Sequence, residues 1–232
     1  MIFITMAGES SRFFNAGYKT PKYRLELGSN TLFHHCLLGL KDYFLTEIFI
    51  FCVNTFLDKD ISNYINDFCK INILKRFKII DFDRTTRGQA ETVYLSSLRI
   101  SVKPDEPVII WNIDTIRLHS FPEKLLGENF MELFTGNGNH WSFAKVKDGR
   151  IILVAEKKRI SEYCSTGLYG FKDLETFRKA FLKTYKNQSI ERYVAPIYNN
   201  INQKNIIPLN RNVSDFIFCG TPDEYEYARK LF

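Results

Sequence analysis

The chain has 232 residues, with apolar side chains at 45% and charged ones at 25%. These are ordinary globular proportions, which exclude disorder for the bulk of the chain and leave room for one domain, or one with a small lobe, at roughly 150 residues per domain. Thirty-two Lys and Arg against 26 Asp and Glu give a net charge of +6; scattered rather than concentrated, this suits anionic small molecules better than nucleic acid.

The elements are expected in this order. Met1 to Met6 is a short apolar run, read as a buried strand, that stops at Ala7-Gly8. It is too short for the core of a signal peptide. Gly8 to Thr20 reads as a loop of small and polar residues. Thr31 to Phe44 has apolar residues at helical spacing, Ile48 to Val53 is a second buried strand, Asp60 to Cys69 a helix, and Phe77 to Phe82 a third strand. Gly88 to Leu98 is helical again, and Pro107 to Ile113 is a strand ending at Asp114. Such alternation predicts an α/β fold with a mainly parallel sheet, whose ligands bind past the carboxyl ends of the strands. Gly8 and Asp114 both follow such ends and are expected on one rim.

After residue 135 the pattern changes. Trp141 to Lys147, Arg150 to Ala155 and Ser165 to Phe171 read as strands with tight turns, including Asp148-Gly149, which permits antiparallel pairing. Helices are expected at Leu174 to Tyr185 and around Tyr193 to Ile201, then short strands near Ile206 and Ile217 and a last helix from Pro222 to Leu231. The organisation expected is one domain over 1–232, in two halves, 1–135 and 136–232.

The five Cys are odd in number and widely spaced, with no C-x-x-C. They suggest neither disulfides nor zinc and fit a reducing compartment, so the expectation is a cytoplasmic protein. No apolar run is long enough to cross a bilayer. His34 and His35 lie within a helical pattern, His119 and His140 stand alone, and none has metal-ligand spacing. The aromatic content, with 21 Phe and 12 Tyr, suits the core or the face of a homodimer.

The richest segment runs from Met6 to Phe13 and on through Gly17-Tyr18-Lys19-Thr20-Pro21-Lys22. A loop of small residues after a first strand lets backbone N–H groups approach phosphates. Arg12 can grip a phosphate with a fork of donors, and Lys22 adds a point charge. Taken alone, these residues equally describe a surface loop with two solvated bases.

The segment resembles the signature of nucleotidyltransferases with the sugar-phosphate pyrophosphorylase fold, roughly L-A-A-G-x-G-x-R followed by P-K. The resemblance continues in order through Gly88-Gln89-Ala90, Asn112-Ile113-Asp114, Glu156-Lys157, Ser165 to Tyr169 and Gly220 to Asp223. Thr5 to Phe13, Gly17 to Lys22, Glu156 to Ser161 and Tyr193-Val194-Ala195-Pro196 are similar to a subgroup active in capsule and surface-polysaccharide biosynthesis. Each motif is weak alone; six in order along one chain are specific.

The resemblance implies a Rossmann-like (GT-A-type) mixed sheet flanked by helices, with a small antiparallel region on the acceptor side. It implies that a nucleoside monophosphate passes from an NTP, with CTP favoured, to a phosphorylated small-molecule acceptor: a sugar or polyol phosphate, phosphocholine, or a phosphorylated amino acid such as phosphoglutamine. Arg12, Lys22 and Asp114 are the implied catalytic residues, with Asp114 on Mg²⁺. Ala7, Gly8, Glu9, Ser10, Ser11, Gly88, Gln89 and Asn112 would bind nucleotide; Glu156, Lys157, Thr166 and Gly167 would bind acceptor. The family usually places a second metal-binding aspartate two residues before the glycine of G-T-P. Here that place is Phe218, with Asp215 three positions earlier. A nucleotide-sugar glycosyltransferase and a non-catalytic nucleotide-binding subunit are the alternatives.

Overall fold

The computed structural model describes residues 1–186, 190–202 and 206–232. Its elements are β1 (Ile2–Thr5), α1 (Ser11–Asn15), β2 (Glu26–Leu27), β3 (Asn30–Thr31), α2 (Leu32–Leu38), β4 (Phe49–Val53), α3 (Ile61–Ile71), β5 (Phe77–Asp81), α4 (Gln89–Leu98), β6 (Val108–Asn112), β7 (Thr115–Arg117), β8 (Asn129–Thr135), β9 (Ser142–Lys147), β10 (Arg150–Glu156), β11 (Tyr163–Phe171), α5 (Leu174–Tyr185), β12 (Ile206–Arg211), β13 (Phe216–Phe218) and α6 (Pro222–Ala228). The fold is mixed α/β, with a mainly parallel central sheet flanked by helices, as the alternating pattern implies.

The chain forms two compact units interleaved along the sequence. One comprises Met1–Phe3, Arg87–Trp111 and Pro122–Val213; the other comprises Ile4–Thr86, Asn112–Phe121 and Ser214–Phe232. They are called here the 87–213 unit and the 4–86 unit.

In the 4–86 unit, β4 and β5 pair in parallel, Phe49 opposite Phe77 and Val53 opposite Asp81. The Met6 N–H donates to the Cys52 carbonyl at 2.8 Å, so the chain leaving β1 runs beside β4. β4 is buried at every residue, and Phe33 of α2 packs on Phe51 and on Phe68 of α3. β7 pairs antiparallel with β13, bringing Thr115 opposite Phe218.

In the 87–213 unit, β11 pairs antiparallel with β6, β8 and β9, while β8 also takes β12 in parallel. The Asp148-Gly149 turn joins β9 to β10 with φ of +49° and +68°, the left-handed pair that a two-residue hairpin requires. Tyr94 of α4 stacks on Phe181 of α5, with ring centres 4.4 Å apart.

Four differences from the expected elements have local causes. The loop after β1 holds a one-turn helix, α1, too short to leave a period in the sequence. The helix from Thr31 stops at Leu38, beside Gly39, a poor helix former, and resumes only as a 3₁₀ turn at Lys41–Tyr43. The segment around Tyr193 to Ile201 is a 3₁₀ helix at Ala195–Asn200. β8 carries Asn129 and Glu132 into the interior among apolar neighbours, so its apolar run is broken and it reads as no strand at all.

Candidate active site

The first strand delivers a buried Ala7 and then an exposed Gly8 and Glu9. Ser10 takes up the left-handed conformation at φ +53°, and its carbonyl receives the Phe13 and Phe14 N–H groups that open α1. The Ser10 hydroxyl oxygen accepts the backbone N–H of Lys22 at 3.2 Å. The Lys22 ammonium in turn meets Asp114 Oδ2 at 2.5 Å. Thus Ser10, Lys22 and Asp114, far apart in sequence, form one hydrogen-bonded chain. The Arg12 guanidinium is exposed, with no hydrogen bond or ion pair among the described residues.

Asp114 is also tied down from its other side. Asn112 Nδ2 donates to Asp114 Oδ1 at 2.5 Å and to Thr115 Oγ1 at 3.0 Å, while the buried Arg117 donates to Asn112 Oδ1 at 3.0 Å. The Cys219 N–H donates to the Asp114 carbonyl at 2.8 Å. Burial pushes the Asp114 carboxyl up. The charges of Lys22 and Arg117 and the donors from Lys22 and Asn112 outweigh it, leaving the group below its ordinary range.

The turn carrying Lys22 is held by aromatic and ionic contacts. Tyr18 packs edge-on to Phe13 and Tyr225, and its hydroxyl donates to Glu226 at 2.6 Å. Arg24 grips Asp58 through two bonds, at 2.7 and 3.1 Å, and lies 3.8 Å over the Tyr64 ring. A two-bond guanidinium–carboxylate contact fixes orientation as well as distance.

Magnesium takes oxygen ligands and often uses one carboxylate with substrate phosphates completing its shell. Among the described residues no three His, Cys, Asp or Glu side chains gather as a metal cluster. Phe218, opposite Thr115 on β13, supplies no oxygen. Asp215 lies in a 3₁₀ turn, Val213–Asp215, before the strand that carries Phe218. A Cβ placed on Gly220 would stand 3.6 Å from Asp114 Oδ2 and 3.4 Å from Glu224 Oε2. That Glu224 oxygen already receives the N–H groups of Gly220 and Thr221 at 2.9 and 3.0 Å. The donor set therefore fits a magnesium ion held by Asp114 with phosphate oxygens, rather than by two aspartates.

In the 87–213 unit, Gly88 precedes α4 with φ of +127°. A Cβ there would meet the Arg192 carbonyl oxygen at 2.7 Å. The chain's own backbone therefore accounts for glycine at this position. Gln89 opens α4 and is partly buried. Glu91 on that helix receives Arg87 through its backbone N–H and guanidinium and Arg192 Nη1 at 3.0 Å. Burial raises its carboxyl, but the Arg87 donors and the charge of Arg192 bring it below the ordinary range.

Glu156, at the end of β10, accepts the Ser142 hydroxyl. Burial pushes its carboxyl up, beyond what that bond and the charge of Lys157 offset. Lys157 sits at φ +53°, and its ammonium contacts the Tyr193 hydroxyl at 2.5 Å. Thr166 is 2% exposed and its hydroxyl donates to the fully buried Glu132 at 2.6 Å. Gly167, at φ +87°, donates its N–H to Ser165 Oγ at 3.1 Å, where the β11 register shifts.

Sequence reasoning did not single out a cleft of about 480 Å³ in the 4–86 unit. Glu9, Ser11 and Phe14 border it on one side, and Asn54, Phe56 and Thr85 on another. Thr85 donates to Glu9 at 2.8 Å across it. Phe56, 82% exposed after a buried strand, is the signal that could have revealed it. Arg117 was missed as well; a lone Arg between Ile116 and Leu118 was its only mark.

No protein-family profile matches the chain, and no curated protein does. Solved structures do. The nucleoside-diphosphate-sugar pyrophosphorylase from Vibrio cholerae RC9 is 36% identical, with 99% of this chain and 100% of that one aligned at a TM-score of 0.90. A UDP-glucose pyrophosphorylase complexed with UDP-glucose is 14% identical, covering 99% of this chain and 97% of that one at a TM-score of 0.76. HddC from Yersinia pseudotuberculosis is 14% identical, covering 100% and 98% at 0.73. The last two show the fold alone. The Vibrio likeness, end to end and well above that level, shows the family: the chain belongs to the nucleoside-diphosphate-sugar pyrophosphorylases.

Proposed function

We propose that the protein transfers a nucleoside monophosphate from an NTP, CTP by preference, to a phosphorylated small-molecule acceptor and releases pyrophosphate. The acceptor is a sugar phosphate, a polyol phosphate or a phosphorylated amino acid such as phosphoglutamine, and the setting is capsular polysaccharide biosynthesis in the cytoplasm. One observation carries the reading: the Lys22 ammonium and the Asp114 carboxylate meet at 2.5 Å, with the Lys22 backbone tied to Ser10 of the signature loop.

The acceptor's phosphate oxygen is ionised near neutral pH and needs no general base. Its lone pair forms a bond to the α-phosphorus. The bond from that phosphorus to the bridging oxygen breaks, and pyrophosphate leaves with the electron pair. What remains for the protein is to orient polyanions and offset their charge.

Arg12, exposed and without a partner among the described residues, would clasp the triphosphate together with amides of the segment Ala7 to Ser11. Lys22 would neutralise charge at the α-phosphate. Asp114, oriented by Asn112, would hold Mg²⁺, whose chemistry is to spread the charge of the phosphate oxygens. Gly88 and Gln89 would read the base, and Glu156, Lys157, Thr166 and Gly167 would receive the acceptor.

The test is pyrophosphate release from CTP, UTP, ATP and GTP against a panel of phosphorylated acceptors. Release with CTP and one acceptor class supports the reading; no release with any pair overturns it. Phe218, in the place of the second aspartate, favours a second reading, a nucleotide-binding subunit without catalysis. That reading predicts CTP binding by calorimetry and no turnover in the same panel.

A further inference from the structure

We propose that Tyr193 and Glu191 are positioning residues for Lys157, holding its ammonium where an acceptor phosphate would meet it. The inference rests on the reading above only for the identity of that phosphate.

Lys157 leaves β10 in the left-handed backbone conformation that residues with a Cβ rarely adopt, φ +53°. Such a conformation persists where surrounding contacts enforce it, and it marks sites where side-chain direction matters. One contact is the Lys157 N–H, which donates to the Trp141 carbonyl at 2.9 Å. At the other end of the side chain the ammonium donates to the Tyr193 hydroxyl at 2.5 Å and lies 4.7 Å over that ring. The Tyr193 hydroxyl donates onward to Glu191, whose carboxylate is 3.9 Å from the same ammonium.

The direction of control follows from which partner is anchored independently. Tyr193 is. Its carbonyl accepts the Tyr185 hydroxyl at 2.5 Å. Next to it, the Arg192 N–H donates to the Arg87 carbonyl at 2.5 Å, and the Arg192 carbonyl accepts the Ala90 N–H at 3.0 Å. The segment is thus fastened to α4 and α5 through its backbone, while Lys157 is half-exposed and reaches it only by its tip. A lysine stem left in water samples many rotamers. A phenol oxygen and a carboxylate at its tip select one.

The experiment reads Lys157 directly in the full-length protein, by mass spectrometry after brief reductive methylation, with exposed Lys158 as the internal reference. Tyr193→Phe removes the oxygen but keeps the ring. It is expected to raise the Lys157-to-Lys158 labelling ratio roughly threefold to tenfold, the net scale of one hydrogen bond at a half-exposed site. Glu191→Gln is expected to change it in the same direction by less. With glucose 1-phosphate as acceptor probe, Tyr193→Phe should raise KM for the probe by a similar factor and leave kcat and the KM for CTP within about twofold. An unchanged labelling ratio in Tyr193→Phe, with its melting temperature preserved, overturns the proposal. Protection of Lys157 by inorganic phosphate tests the acceptor reading separately: a raised ratio without protection keeps the positioning and removes the acceptor role.

Discussion

Asp114 and Glu156 are both partly buried carboxylates, each with a lysine at hand, yet their environments act in opposite senses. Asp114 has an ammonium on one oxygen and an amide donor on the other, and it lies below its ordinary range. Glu156 has Lys157 as its neighbour in sequence, but that ammonium is turned to Tyr193, and burial leaves the Glu156 carboxyl raised. Sequence adjacency puts charge nearby; an ammonium on the oxygen outweighs burial at Asp114, where the neutral Ser142 hydroxyl on Glu156 does not. A group kept ionised suits phosphate and cation chemistry, whereas a group raised toward neutrality suits hydrogen bonding to a hydroxyl or amide.

The sharpest way to break the contrast is by substitution. Asp114→Ala and Lys22→Ala are each expected to lower pyrophosphate release roughly 10²-fold or more while circular dichroism stays native, the scale for losing a charged transition-state contact. Glu156→Gln should lower it less than either. Equal losses at all three would erase the distinction. EDTA should act like Asp114→Ala, and activity undiminished by EDTA removes the magnesium role.

Glycine positions give the next largest effect, this time on stability. Gly88→Ala must place a Cβ 2.7 Å from the Arg192 oxygen at φ +127°. It is expected to cost roughly 1–3 kcal/mol, seen as a lower denaturant midpoint. Gly8→Ala meets nothing within 4 Å and should stay within about 0.5 kcal/mol.

The pH dependence separates the two carboxylates more gently. Asp114, lowered from 3.8, contributes stability that is present above that value and lost as pH falls through its folded value. Glu156, raised from 4.5, contributes stability that is full below that value and lost as pH rises through its folded value. Thermal melts should show Glu156→Gln gaining on wild type as pH climbs above 4.5. A constant difference across that range counts against the burial argument. Smallest of all, a double-mutant cycle between Lys22 and Asp114, each about a quarter exposed, should return a coupling no larger than about 1 kcal/mol.

Much of this was legible in the sequence because periodicity and turn chemistry act locally. β4 is apolar throughout and β6 is apolar up to Asn112, and Asp148-Gly149 could hardly do other than turn. The strand pattern puts Gly8 and Asp114 on one rim, and the resemblance puts Lys22 in one catalytic set with Asp114; the Ser10 bond to Lys22 depends on a left-handed residue that no pattern announces. The resemblance implies that Gly88 binds nucleotide; that a Cβ there would also meet the Arg192 carbonyl at 2.7 Å depends on two segments distant in sequence and leaves no local pattern. Glu132 accepts the Thr166 hydroxyl inside the fold and lies 3.9 Å from Arg211, pairings between distant residues that leave no local trace.

All five cysteines are buried and outside any disulfide, and burial pushes the thiols of Cys69 and Cys219 up to about 12. It is the thiolate that attacks a disulfide reagent and displaces its coloured thiolate, so the intact molecule should resist such reagents and opening should admit them. The protein thus carries its own unfolding clock: the slow release of colour from such a reagent would time spontaneous opening with no label attached, and identifying which sulfur reacts first would show which part loosens before the rest.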